Sequence, residues 1–223
     1  MTETHEHDIA RRVGRRFARP WHRDYARAKL AMDPAYAAAA QAIEAGGAMP
    51  LLDVGCGMGL LGFYLRERGW QGDYLGVDFD PRKLAAGRAA TRDGERIAFH
   101  DGRAQALPVF AGNVALIDVL HYLERDAQRV LLAEAAARVA PGACLVVRNV
   151  LRDRSWRFRA TVAEEWLIHA IRWMRAAPRH YPLREEIEQP LRDAGLEVAV
   201  QPLWGRTPFN SFLAVARRPA ASR

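Results

Sequence analysis

Short unbroken apolar runs alternate along this chain with stretches whose apolar residues recur at helical spacing. The runs are Pro50–Val54, Tyr74–Asp78, Ile97–Phe99, Val114–Val119 and Ala143–Val150. Runs of this length, closed by glycine or aspartate, predict strands buried on both faces. Between them lie helices over about Leu60–Arg68, from Asp80-Pro81 to about Thr91, and over Asp126–Val139. Asp80 is placed to cap its helix and Pro81 to occupy the first turn. The order β-α-β-α-β-loop-β-α-β predicts a parallel sheet with right-handed crossovers.

The flanks read differently. Residues 7–30 predict one basic helical arm carrying Phe17, Trp21 and Tyr25. After a break at Asp33-Pro34, an alanine-rich helix over Ala35–Ala45 closes at Gly46-Gly47. Residues 152–180 form a basic helical stretch holding Trp156, Trp166 and Trp173. The two spaced seven apart, Trp166 and Trp173, also suit plain packing inside that stretch. A helix over 183–194, ended by Gly195, precedes strands Leu196–Leu203 and Phe209–Arg217. The loop between these strands is too short for a parallel crossover, so they predict an antiparallel pair.

Composition narrows the class. The chain has 223 residues and is half apolar, which supports a real core and excludes a disordered protein. Cys56 and Cys144 are too few for a disulfide framework or a zinc cluster, so the expectation is a reduced, cytoplasmic protein. The beginning of the chain lacks the apolar region of a signal peptide, and no apolar run is long enough to span a membrane. The net charge is +7, yet residues 1–30 carry +4 and residues 152–184 carry +5. The excess belongs to two segments around a near-neutral body. Nucleic acid, an acidic carrier protein, an acidic substrate and an anionic membrane all suit such segments.

The chemistry gathers at Asp53-Val54-Gly55-Cys56-Gly57-Met58-Gly59-Leu60-Leu61-Gly62. Glycines between a strand and a helix let backbone approach a ligand, and the helix start offers free N–H groups. Gly57-x-Gly59-x-x-Gly62 also satisfies the dinucleotide fingerprint, with Asp78 at about the right remove. Two features favour another nucleoside. Asp53, two residues before the first glycine, suits a ligand amine that a nicotinamide dinucleotide lacks there. The closing antiparallel pair is foreign to a plain dinucleotide-binding half.

Leu51–Gly59 (LLDVGCGMG) resembles the first motif of class I S-adenosylmethionine (SAM) methyltransferases. Gly76–Asp80 resembles their second motif, Asp118–Leu123 their fourth, and Ala136–Val147 the helix-turn-strand that follows. The resemblance covers roughly residues 45–217. It implies an α/β Rossmann-like three-layer sandwich with a seven-stranded, mostly parallel sheet whose last strand is antiparallel. Residues 1–45 would form an N-terminal cap, 46–217 the catalytic domain with a helical lid over 152–182, and 218–223 a flexible tail. The cofactor implied is SAM, held by Asp53, Gly55, Cys56 and Gly57 of the loop, by Asp78 at the ribose, by Phe79 against adenine and by Asp118. Where the family usually has an aspartate beside adenine, this chain has Arg103. Asp101 is the substitute expected, with Gly102 beside it.

His121, just after the fourth strand, is the candidate general base for a hydroxyl, a phenol or a ring carbon. Tyr122 is a candidate substrate contact. The alternative for His121 is packing beneath the next helix. Cys56 reads as a small loop filler and Cys144 as core. No cysteine suits attack on cytosine, and no [DNS]-Pro-Pro-[YF] sequence follows the fourth strand. Metal-dependent O-methylation would draw on Asp118, Asn149 and Asp153, and no metal is expected. Arg148 and Asn149 end the fifth strand at the same edge, and Arg206 and Asn210 are candidates from the last hairpin. The phrases NVLRDRSWRF and PLWGRTPFNSF are similar to methyltransferases that accompany bacterial aryl polyene pigment biosynthesis. That implies a small acceptor, aromatic or polyketide-like, free or tethered to an acidic acyl carrier protein. The alternatives are an RNA methyltransferase and a SAM-binding protein without transferase activity.

Overall fold

The computed structural model describes residues 3–104, 106–162, 178–204 and 209–220. Seven strands form one sheet in the order β3-β2-β1-β4-β5-β7-β6. These are β1 (Leu51–Val54), β2 (Tyr74–Asp78), β3 (Ile97–Asp101), β4 (Asn113–Ile117), β5 (Cys144–Val150), β6 (Glu197–Pro202) and β7 (Ser211–Arg217). β7 runs antiparallel to both neighbours, and the other pairings are parallel. The sheet expected from the apolar runs is therefore present, with the last two strands as an antiparallel pair.

Alternation along the strands sorts the core into two layers. Cys144 and Val146 of β5 face a cluster with Ile43, Leu61, Phe63 and Leu84. These come from α3 (Ala35–Glu44), α4 (Leu60–Glu67) and α5 (Pro81–Ala90). Leu145 and Val147 face the other cluster, with Leu131, Leu132, Ile187 and Leu191. Those residues belong to α6 (Arg125–Ala137) and α7 (Arg184–Asp193). Asp80 caps α5 as its sequence suggested, accepting the Arg82 N–H at 3.0 Å.

The arm is not one helix. Gly14 and Pro20 bracket a break that yields α1 (Glu3–Gly14) and α2 (Pro20–Met32), packed against each other. Proline at the first position of α2 starts a new helix rather than continuing the old one. Phe17, in the connection, is buried with its ring 5.8 Å from Phe63. The arm's charge is also largely committed internally. Arg16, with a side chain 2% exposed, bridges Glu67 and Glu95 at 2.7 Å each, and Arg12 joins Glu67 at 2.8 Å. Replacing Arg16 with Leu takes the buried guanidinium from Glu95 and leaves Glu67 held mainly by Arg12. It is expected to lower stability by about 2 kcal/mol, allowing for their partial exposure, in urea unfolding.

Arg218, at the start of the segment expected to be a tail, makes hydrogen bonds to the body. Its guanidinium donates to the carbonyls of Ala136 at 2.9 Å, in the last turn of α6, and Val139 at 2.7 Å, just beyond it. Such a cation satisfies helix carbonyls that have no intrahelical partner. Among the described residues no helix is long and apolar enough to cross a membrane.

Candidate active site

The glycine loop lies at the carboxyl end of β1, where ligands bind in open parallel sheets. Gly55, Gly57 and Gly59 have φ of 75°, 57° and 78°, the left-handed region that glycine enters without steric cost. At Gly55 a side chain would also strike Val119, with Cβ 2.5 Å from its Cγ2. At Gly57 the nearest atom to such a Cβ is 3.9 Å away, so the loop leaves its outer surface open. The start of α4 adds N–H groups without intrahelical partners.

Asp78 ends β2 beside this loop. Its buried carboxylate accepts the Gly57 N–H and the Asp80 N–H, both at 2.8 Å. Asp101 is its partner in β3, so the two carboxylates share one sheet face at one edge. Asp101 is exposed, Gly102 donates its N–H to the Asp78 carbonyl at 3.1 Å, and Arg103 is exposed. Phe79 follows with its ring 66% exposed, an apolar surface next to the acid pair.

Asp53 is buried and accepts the Tyr74 hydroxyl at 2.7 Å. Burial pushes its carboxyl up to about 7, against the Tyr74 hydrogen bond and with help from the Asp78 charge. The folded protein thus holds a proton that the unfolded chain has lost above its ordinary value of 3.8. Stability should therefore fall as pH rises through that window, and Asp53→Asn should flatten the slope. Urea midpoints at about pH 5 and about pH 8 check this. Cys56 is buried with Sγ 3.6 Å from the Gly57 carbonyl, and burial pushes its thiol well up, which suits a filler and not a nucleophile. Cys144 is likewise buried, its thiol raised to about 11.

β4 stops two residues earlier than its apolar run suggested. Asp118 takes φ of 59°, uncommon for any residue but glycine, and turns the chain into a 3-10 turn at Leu120–Tyr122. Its carboxylate pairs with Arg148 and, at 3.3 Å, with Lys29. Lys29 also meets Asp33 at 2.6 Å, and Arg148 donates to Ser211 Oγ at 2.8 Å. This balanced cluster fastens α2 to the carboxyl edge of the sheet.

His121 lies on the opposite sheet face and is 4% exposed. Its Nδ1 is 3.0 Å from Asn149 Oδ1. The Tyr122 ring sits 4.1 Å from the imidazole, and the Tyr181 ring stacks at 6.3 Å with a 12° tilt. Burial lowers the His121 pKa, and the Lys29 charge adds to this against the Asn149 hydrogen bond. The imidazole is thereby kept neutral, the form able to accept a proton.

Gln128 was not singled out by sequence because its role is long-range. Its buried amide donates to the carbonyls of Leu120 at 2.8 Å, Leu123 at 3.0 Å and His180 at 2.7 Å. It joins the His121 turn to the segment returning from the basic insertion. Gln128→Ala removes the amide from the Leu123 and His180 carbonyls, while Leu120 keeps the Leu123 N–H, an expected loss of about 2 kcal/mol in urea unfolding.

Asn210, expected as a possible site residue, is instead buried in the frame. Its Nδ2 donates to the Leu151 carbonyl at 2.8 Å and to Asp153 at 2.9 Å. Trp156 is 63% exposed, and Arg157 stands over both Trp156 and Trp204 at 4.9 and 4.6 Å. Trp166, Trp173 and Arg206 lie outside the described residues. Among the described residues no three His, Cys, Asp or Glu side chains are grouped to hold a metal.

Residues 51–142 match the family model described as a methyltransferase domain. No protein of curated function matches the chain. Solved structures share the fold at low identity. An O-methyltransferase family protein from Burkholderia thailandensis aligns over 93% of this chain, with 20% identity and a TM-score of 0.68. The chain spans 63% of that protein's length. Magnesium protoporphyrin IX methyltransferase from Synechocystis PCC 6803, solved with bound SAH, aligns over 95% of this chain and 93% of its own, with 16% identity and a TM-score of 0.67. The [4+2]-cyclase SpnF aligns over 83% of this chain and 80% of its own, with 18% identity and a TM-score of 0.63. The chain has the Rossmann-like methyltransferase fold.

Proposed function

We propose that this protein is a SAM-dependent methyltransferase acting on a small molecule. The observation that carries this reading is the open glycine loop tied to Asp78, with a neutral imidazole at the same sheet edge. The cofactor is S-adenosylmethionine. The residues fit it: Gly55 lets the loop pack close against Val119, Gly57 leaves room over it, Asp78 and Asp101 offer carboxylates to ribose and adenine, and Phe79 offers an exposed ring. Asp53 and the loop residues Gly55, Cys56 and Gly57 border the amino-acid end. Asp118 acts from the next turn, where its carboxylate orders Lys29 and Arg148.

Bound SAM supplies an electrophilic methyl group for in-line displacement. The protein's part is to orient the acceptor, exclude water and take up one proton. His121 is the base for that proton and Tyr122 borders the acceptor. A neutral buried imidazole suits an acceptor with an acidic proton, such as a phenol or an enol, better than an aliphatic alcohol. This agrees with an aromatic or polyketide-like acceptor of the kind processed beside aryl polyene pigments, free or held on an acidic acyl carrier protein. The setting is cytoplasmic.

Internal pairing of Arg12 and Arg16 weakens the RNA reading, because those cations are not free for phosphates. SpnF shares the fold without the name of a methyltransferase, so transfer itself must be measured. Incubation with methyl-labelled SAM and carrier-bound or free aromatic acids should place label in the acceptor. Binding of SAM with no label moved to any acceptor class, RNA included, would favour a non-transferring SAM protein.

A further inference from the structure

We infer that Asn149 is a positioning residue that fixes His121 in the Nδ1–H tautomer, leaving Nε2 as the nitrogen that takes the acceptor's proton. The inference rests on the reading of His121 as the base, but its structural half stands apart from any reaction.

The argument starts from the amide. Asn149 lies on β5 opposite Phe212 of β7 and is 1% exposed, so neither amide atom has bulk water to turn to. Its Nδ2 donates to the Val150 carbonyl at 2.9 Å. The reversed amide would set two carbonyl oxygens against each other there. Oδ1 is therefore the atom facing the imidazole, and it can only accept. Nδ1, 3.0 Å away, must carry the hydrogen. A neutral imidazole has one N–H, so Nε2 keeps its lone pair. Among the described residues no hydrogen bond engages Nε2.

The remaining neighbours hold the ring without choosing its tautomer. Tyr181 stacks on it from the segment after the insertion, and Tyr122 lies beside it on its own turn. The backbone N–H of Arg179 donates to the His121 carbonyl at 2.8 Å. Lys29 on α2 acts through its charge and opposes a second proton. No carboxylate among the described residues hydrogen-bonds the ring. Asparagine thus orients the imidazole as a carboxylate would, and its hydrogen bond raises the ring's basicity without adding a negative charge. Fixing a tautomer through the other ring nitrogen is a general device of working histidines.

The test is nitrogen NMR on protein labelled with ¹⁵N-histidine, with the His121 signals assigned by their loss in His121→Ala. The wild-type ring should show Nδ1–H and an unprotonated Nε2 at neutral pH. Asn149→Leu should lose that preference and lower kcat roughly tenfold or more, with KM little changed. Asn149→Asp should keep the tautomer and move the ring's titration up by about one pH unit or more, carrying the acid limb of methyl transfer with it. The isosteric aspartate variant keeps the test available if the leucine variant does not fold. An Nε2–H tautomer in the wild type would overturn the inference. So would unchanged tautomer and titration in both variants. These spectra are read without an acceptor, so absence of methyl transfer would sink the functional reading and leave the tautomer result standing.

Discussion

Asp78→Ala is expected to weaken SAM binding on the order of a hundredfold while leaving the protein folded. The carboxylate holds Gly57 and Asp80 through two hydrogen bonds of 2.8 Å, so it shapes the loop in addition to the ribose contact proposed for it. Charge-assisted bonds of this kind contribute about 1.5–3 kcal/mol each, and loss of about 2.8 kcal/mol is a hundredfold in affinity. Asp78→Asn retains one acceptor oxygen and should fall between wild type and alanine. Calorimetric titration of the three proteins reads the series, with circular dichroism to confirm the fold. Unchanged affinity in the alanine variant would remove Asp78 from the cofactor site.

The second large effect is at the base. His121→Ala should lower turnover by about 10²–10⁴-fold, the range set by loss of a positioned general base. SAM affinity should stay near wild type, because the imidazole pairs with Asn149, on the opposite face of β5 from Arg148, and among the described residues makes no hydrogen bond to the glycine loop. The acid limb of the wild-type rate profile should lie below 6.5, since burial depresses the ring's pKa from that value. Full turnover in the alanine variant would end the base assignment and leave the cofactor assignment intact.

Much of this architecture is legible in the residues themselves. Buried strands need apolar runs, and the runs at Leu51–Val54 and Cys144–Val150 could serve little else. Close backbone approach needs glycine, so the loop after β1 declared a ligand edge. Strand ends were less legible. The turn at Asp118 depends on a left-handed backbone and on Lys29 and Arg148 arriving from elsewhere in the chain. Pairing was invisible for the same reason. The arm's arginines looked available to a polyanion, and only the fold brings Arg16 onto Glu67 and Glu95. The proline that splits the arm was in plain view, but the regular basic pattern around it suggested one continuous helix. Gln128 and Asn149 carried no local signal, because each acts on a turn or strand remote in sequence.

Titration of the wild-type protein with S-adenosylhomocysteine tests the central claim most directly, with NAD as the rival ligand. The account predicts saturable one-site binding, displaced by SAM and unaffected by NAD. Absence of binding at millimolar ligand, or preference for NAD, would contradict it.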